Sequence, residues 1–181
     1  LAWGSTDEER SRRLPGDDID SEAAYVTTRA TTINAPAEAV WPWLIQMGQD
    51  RAGFYTHNWV ERLLQSGIPD TAEIRPEWQH IEVGDLIRTN HDIGDRPMGW
   101  PGLAVDPGRS FVVGSKGMPA GTYAFVVDSR DDGASRLIVR DRARTDGSAH
   151  VEDRRWVGSI ASTGFGLTAL CIAADRGWSQ P

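Results

Sequence analysis

The position of Asp141 suggests chemistry more strongly than that of any other residue. It lies in the segment RLIVRDRAR, residues 136–144. Side chains alternate along a β-strand, so Asp141 shares one face of this predicted strand with Leu137 and Val139. If that face turns toward the core, desolvation raises the pKa of the Asp141 carboxyl and suits it to proton transfer. The alternative places Asp141 near the strand end, in water or paired with an arginine.

The opposite face of the same predicted strand is rich in arginine. Its members are Arg136, Ile138, Arg140, Arg142 and Arg144. Charged side chains are mostly exposed in folded proteins, so we expect this row to be a solvated outer face rather than an anion site.

Tyr55 and His57 are two further residues that could move a proton. A third acid–base candidate, His91, stands beside Asp92, but neighbouring side chains on a chain diverge and rarely form a catalytic pair. Both histidines are equally compatible with a surface position. The candidate catalytic residues are therefore Asp141, His57 and Tyr55.

Aromatic residues are plentiful, and Tyr and Trp combine an apolar body with one hydrogen-bonding group. Together with Arg88, which could bind a carboxylate or enolate or form a structural ion pair, they give the candidate ligand-binding set. This set is Trp43, Trp59, Trp78, Arg88, Trp100, Tyr123 and Trp156. Ordinary core packing is the alternative role for each aromatic residue.

The sequence motifs of several common enzyme classes are either absent or lack the secondary structure that they need. Residues 164–169 match G-x-G-x-x-A, but no strand precedes them and few residues follow. The chain has no G-x-S-x-G and no H-E-x-x-H motif, and Cys171 lies in an uncharged segment that would keep its thiol protonated. We expect no cofactor and no metal, because no Cys or His cluster has metal-ligand spacing.

The length, net charge and cysteine count of the chain exclude some kinds of partner and cross-link. The chain has 181 residues, a net charge of -7 and one cysteine. This length suits one domain. A mildly acidic chain is a poor nucleic-acid binder, and a single cysteine cannot form an internal disulfide. We therefore expect no nucleic-acid partner and a cytoplasmic location.

The predicted elements begin after a polar N-terminal extension. Residues 1–24 contain few large apolar side chains, so we expect a solvated lead-in to a single domain at residues 25–181. Residues 25–34 form the first predicted strand. Pro36 then opens a helix that contains Pro42, and a second helix is predicted over residues 56–65.

Turn signals divide the middle of the chain into short β-rich runs. These runs cover residues 86–89, 102–105, 110–114, 122–128 and 135–143. The connections are too short for the crossovers that parallel strands need, so we predict an antiparallel meander.

Residues 156–174 are uncharged and predict a final helix. One side carries a mainly apolar stripe that includes Trp156 and Leu167, and another carries small residues such as Gly158, Ser162 and Gly166. The small side could meet a second copy of the chain in a homodimer. A membrane span is the alternative for this segment, but its serines, threonines and glycines make it only mildly apolar, so we expect no membrane partner.

Three segments together resemble a known family. They are INAPAEAVWPWLIQMGQDRAGFYTHNWVERLL (33–64), RPEWQHIEVGD (75–85) and SRLIVRDRAR (135–144). With the strand before them they resemble the SRPBCC superfamily of START-like, birch-pollen-allergen-like helix-grip proteins, including polyketide cyclase/dehydrase-like members. The resemblance implies an α+β helix-grip fold: a curved antiparallel sheet, two short helices after strand one and a long C-terminal helix. It also implies an apolar cavity between the sheet and that helix.

Two functional hypotheses follow. In the first, the cavity binds a small hydrophobic or aromatic molecule without turnover. In the second, the chain is a cyclase- or dehydrase-type enzyme in which Asp141, His57 or Tyr55 moves a proton.

Overall fold

The computed structural model describes residues 2–19, 21–53, 73–88, 99–115 and 121–143. The strands in these ranges are β1 (Ala2–Trp3), β2 (Tyr25–Ile33), β3 (Leu86–Arg88), β4 (Gly99–Asp106), β5 (Ser110–Ser115), β6 (Gly121–Ser129) and β7 (Ser135–Ala143). The helices are α1 (Asp7–Ser11) and α2 (Ala37–Ile45), with a 3-10 turn at Pro76–Trp78.

All seven strands belong to one sheet with the order β1-β2-β7-β6-β5-β4-β3. Every neighbouring pair from β2 to β3 is antiparallel, and β1 joins the β2 edge in parallel. The predicted meander is confirmed. The structure adds the antiparallel pairing of the first core strand, β2, with the last strand, β7. A register shift between Gly102 and Ala104 interrupts the regular pairing of β4 with β5.

Helix α2 covers the inner face of this sheet, which we define as the face that α2 contacts. Val40 and Leu44 of α2 lie in the same apolar core as Phe125, Leu137 and Val139 from β6 and β7. The helix begins directly after Pro36 and contains Pro42, as the sequence predicts. Burial of these side chains provides the main favourable free energy for closing α2 onto the sheet.

The N-terminal segment, residues 2–19, packs on the opposite or outer face and corrects the expectation of a solvated lead-in. Leu14 is 4% exposed and lies in a second apolar cluster with Ala30, Val126 and Ile138. The composition of this segment suggested that it lies outside the folded core, because the segment cannot form a core by itself. It is ordered instead by a sheet face that supplies the apolar partners.

The arginines of β7 hold this segment, so the expectation of a solvated arginine row is also wrong. Arg136 binds Glu9 through two hydrogen bonds, and the Arg136 Nε–Glu9 Oε1 distance is 2.7 Å. Arg140 Nη1 and Arg142 Nη1 lie 2.6 and 3.3 Å from carboxylate oxygens of Asp17. Each guanidinium thus meets an acidic residue that the sequence places more than 100 positions away.

Gly114 lies where two strands approach closely, and it provides a stability test. Its φ is +147°, and a Cβ atom there would overlap the Gly121 carbonyl oxygen of β6. We expect Gly114→Ala to lower the free energy of unfolding by about 1–3 kcal/mol, because strands β5 and β6 must separate to admit the methyl group. Urea unfolding measures the change.

Gly108→Ala is the matched control for Gly114→Ala. Gly108 also has positive φ, at +81°, but an added Cβ would meet no atom within 4 Å. Its cost should therefore come from backbone strain alone and be smaller. Equal losses in the two variants would contradict the overlap at Gly114.

Three sequence predictions lie outside the described residues. They concern the helix over residues 56–65, the final helix over residues 156–174 and the small-residue surface on that final helix. They stay predictions, as does the apolar cavity that the final helix would close. None of the helices in the described ranges is long and apolar enough to cross a membrane.

Candidate functional site

Three ionisable residues meet on the inner face, toward the end of the sheet where β7 finishes. Asp141 of β7 stands directly opposite Thr27 of β2 on one side and Tyr123 of β6 on the other. Arg29 lies two residues along β2 from Thr27 and therefore points to the same face. We call Arg29, Tyr123 and Asp141 the inner-face polar group.

Asp141 is buried, as its strand position predicts when Leu137 and Val139 face the core. Its side of β7 is the inner side, and the residue is 7% exposed. Desolvation raises the pKa of its carboxyl to about 6, while Arg29 and a hydrogen bond from Thr27 act in the opposite direction. The predicted direction of this pKa shift is confirmed. Transfer of a proton by Asp141 stays a prediction.

Arg29 is a site residue that the sequence analysis missed. It is 8% exposed, and its Nη1 donates a hydrogen bond to Thr27 Oγ1 at 3.3 Å. Burial lowers the pKa of the guanidinium, and the nearby Asp141 and Tyr123 raise it. Strand alternation gave only a weak signal: Arg29 shares its face of β2 with the core residue Ile33, but its near neighbours in the strand are mostly polar.

Tyr123 links the polar group to an aromatic surface. Trp100 reaches from β4 across β5 to lie over Tyr123, with 4.6 Å between the ring centroids and 31° between the ring planes. Burial, with a smaller contribution from Asp141, raises the pKa of the Tyr123 hydroxyl. The phenol therefore stays protonated at neutral pH and can donate a hydrogen bond.

The structure brings together three of the predicted site residues, Trp100, Tyr123 and Asp141. Trp43 is buried within α2 at 5% exposure. Trp78 lies in the 3-10 turn, half-buried, with the Arg75 guanidinium 5.1 Å from the centroid of its ring.

Arg88 is placed differently from the ligand contact that the sequence suggested. Ile87 enters the inner core, so alternation in β3 turns Arg88 to the other face. Its carbonyl oxygen accepts a hydrogen bond from Gln49 N at 2.9 Å. Arg88 thus lies on the face away from the polar group.

Four predicted site residues lie outside the described ranges: Tyr55, His57, Trp59 and Trp156. Their assignments stay predictions. Within the described ranges, no group of three or more His, Cys, Asp or Glu side chains could hold a metal ion.

No family model matches the sequence, and no curated protein matches it either. Solved structures do resemble the fold. Protein MLL2253 from Mesorhizobium loti is 15% identical with a TM-score of 0.46, over 84% of this chain and 98% of that one. Ara h 8.0201 is 11% identical with a TM-score of 0.49, over 83% and 98% of the two chains.

A third similar structure is the Polyketide_cyc-like protein Cgl2372 from Corynebacterium glutamicum. It is 16% identical with a TM-score of 0.44, over 82% of this chain and 88% of that one. At these identities, likeness concerns the fold alone. Within the described residues, the strand order and the position of α2 against one face of the sheet agree with the antiparallel sheet and first short helix that the sequence analysis expects.

Proposed function

We propose that this protein binds a small hydrophobic or aromatic molecule against the inner face, between the sheet and the C-terminal segment. The observation that supports this most directly is the inner-face polar group: Arg29 and Asp141 are buried at the border of an otherwise apolar core, and Tyr123 is half-buried beside them. Ligand sites are typically apolar with a few converging polar groups, and this part of the sheet has that composition.

The Trp100–Tyr123 pair supports an aromatic or flat apolar ligand. Both rings are only partly buried and pack against the edge of the inner core, where they present apolar area beside the polar group. Tyr123 adds a hydroxyl donor to that surface. A ligand can therefore contact the ring pair with its apolar body and the polar group with one end.

Native mass spectrometry of the full chain, purified from its own host, tests this proposal. We expect a mass excess of a few hundred daltons that disappears when the same sample is denatured. Identification of the released compound gives its chemical class. A chain of apo mass that also fails to bind apolar probes would contradict the proposal.

A matched pair of tryptophan variants tests the location of the site. With the neutral fluorescent probe N-phenyl-1-naphthylamine, we expect Trp100→Ala to weaken binding about 10-fold, because aromatic contact is worth about 1 kcal/mol or more. Trp78→Ala removes an equally half-buried indole that instead lies against Arg75, and it should bind the probe like the wild type.

The reverse pattern would contradict the location. Loss of probe binding in Trp78→Ala, with Trp100→Ala unaffected, would move the site away from the inner-face polar group. Fluorescence titration gives both affinities, and circular dichroism confirms that each variant is folded.

A second candidate function, a cyclase- or dehydrase-type enzyme, is favoured by one specific observation. Asp141 is buried with a pKa raised to about 6, in the range where a carboxyl can both take and give a proton near neutral pH. Once the bound compound is known, its conversion by the wild type can be followed by mass. Asp141→Asn should then bind the compound but leave it unchanged, whereas an unchanged rate would remove Asp141 from the mechanism.

A further inference from the structure

Arg29 has more hydrogen-bonding capacity than its neighbours use. A guanidinium has five N–H donors, and within the described ranges that of Arg29 makes one hydrogen bond, to Thr27 Oγ1. The residue is 8% exposed, and its other side-chain nitrogens are not among the fully buried atoms that lack a partner in the described ranges, so they open onto the small accessible part of the inner face. A cation that is largely enclosed by protein attracts an anion more strongly than one in open water, so these donors are available to a bound group.

Asp141 does not accept a hydrogen bond from the remaining N–H donors of Arg29. Its own hydrogen bond comes from Thr27, and it acts on Arg29 through its charge across the β2–β7 pair. In the strand register Asp141 faces Thr27, whereas Arg29 faces Val139. The two charged groups therefore lie diagonally across the β2–β7 pair, on the same inner face.

We propose that Arg29 binds a carboxylate, or an equivalent planar oxyanion, at one end of the ligand, while the Trp100–Tyr123 pair contacts its apolar body. This inference rests on the proposed function and names the ligand class as a hydrophobic or aromatic acid. Arginine suits such a role because its planar fork matches the two oxygens of a carboxylate.

The other members of the polar group are compatible with an anionic ligand. The Tyr123 hydroxyl stays protonated, so it adds no negative charge that would repel the ligand. Asp141 would repel a second carboxylate when ionised, but its raised pKa lets it accept a proton readily and become a donor. Arg29 and the protonated form of Asp141 can therefore both donate to the oxygens of the ligand.

A pair of nearly isosteric probes tests the inference on the full chain. 2-Naphthoate and 2-naphthamide share a ring system and a planar head group, but only the first carries a charge. We expect the wild type to bind 2-naphthoate at least 10-fold more tightly than 2-naphthamide in isothermal titration calorimetry. Arg29→Met should abolish that preference, and Arg29→Lys should retain part of it, because lysine keeps the charge but loses the fork.

Circular dichroism and urea unfolding show whether Arg29→Met is folded, and the 2-naphthamide binding that this variant retains reports the apolar part of the site. Removing Arg29 takes away a group that lowers the pKa of Asp141, so the carboxyl becomes neutral more readily and no isolated anion need be buried. Destabilisation should be modest for that reason.

Arg88→Met is the control variant, because it removes an arginine on the face away from the polar group. If it abolishes the preference for 2-naphthoate while Arg29→Met does not, the inference is overturned. Equal binding of both probes by the wild type also overturns it, but leaves the proposed function standing. Failure of both probes to bind would instead count against the proposed function, and the inference would fall with it.

Discussion

Replacing Arg140 with methionine is expected to lower the free energy of unfolding by about 3–5 kcal/mol. Arg140 is 3% exposed and binds Thr28 Oγ1, Asp17 and three backbone carbonyl oxygens. Those carbonyls belong to Glu9, Arg10 and Arg12, at the end of α1 and just beyond it. Methionine fills similar space but leaves Asp17, which also contacts Arg142, with one cationic partner fewer.

Arg109→Met is the control for this prediction, because Arg109 is exposed in the turn between β4 and β5. Its loss should change stability by no more than about 0.5 kcal/mol. Urea unfolding gives the free energies, and limited proteolysis reports whether residues 2–19 detach before the sheet unfolds. Equal stability of the two variants would show that these residues add nothing to the folding unit.

The role of Arg140 shows why composition misjudged the N-terminal segment. Helix α1 buries no side chain of its own, so the sequence gives no amphipathic signal there. Its order depends on partners far along the chain: Arg136 for Glu9, and the apolar cluster around Ile138 for Leu14. Local patterns cannot reveal partners separated by more than 100 residues.

Strand alternation, in contrast, predicted the two faces of β7 well. Leu137, Val139 and Asp141 occupy the inner face, and Ile138 and Arg140 occupy the outer face, as a period of two requires. The environment of each face depends on what covers it. Alternation therefore placed Asp141 on one face with Leu137 and Val139, but it could not show that this face is buried at Asp141 or that a peptide segment covers the arginines.

Arg29 was missed for a related reason. Its neighbours in TTRATT are mostly polar, so no strong apolar alternation marks which side of β2 faces the core. The side becomes clear only when Thr27 is paired with Asp141 and Arg29 with Val139. The polar part of the site thus follows from strand register, which is set by tertiary pairing.

Asp141 should give this protein an unusual dependence of stability on pH, and this is the second large effect that we expect. The pKa of its carboxyl rises from 3.8 to about 6 on folding, so between these values the folded chain holds a proton that the unfolded chain has lost. The contribution of Asp141 to the free energy of unfolding is fully present below about pH 4. It is lost as pH rises to about 6, which amounts to about 3 kcal/mol.

Glu9 acts with the opposite sign and in a lower window. The hydrogen bond from Arg136 lowers the pKa of the Glu9 carboxyl from 4.5 to about 2. Its contribution to stability is therefore present above about pH 4.5 and is lost as pH falls toward 2. Because the two windows barely overlap, a pH series of urea unfolding experiments can separate them.

The difference between the stability curves of the wild type and Asp141→Asn isolates the carboxyl of Asp141. Asparagine does not titrate, so relative to the variant the wild type should lose about 3 kcal/mol between pH 4 and 6. Thr27→Val removes a hydrogen bond that favours the ionised form of Asp141, so the pKa of Asp141 in the folded chain should rise. The loss of stability should then continue to higher pH. Parallel curves for wild type and Asp141→Asn would show that Asp141 ionises as it does in water, and would remove the reason for assigning it a role in proton transfer.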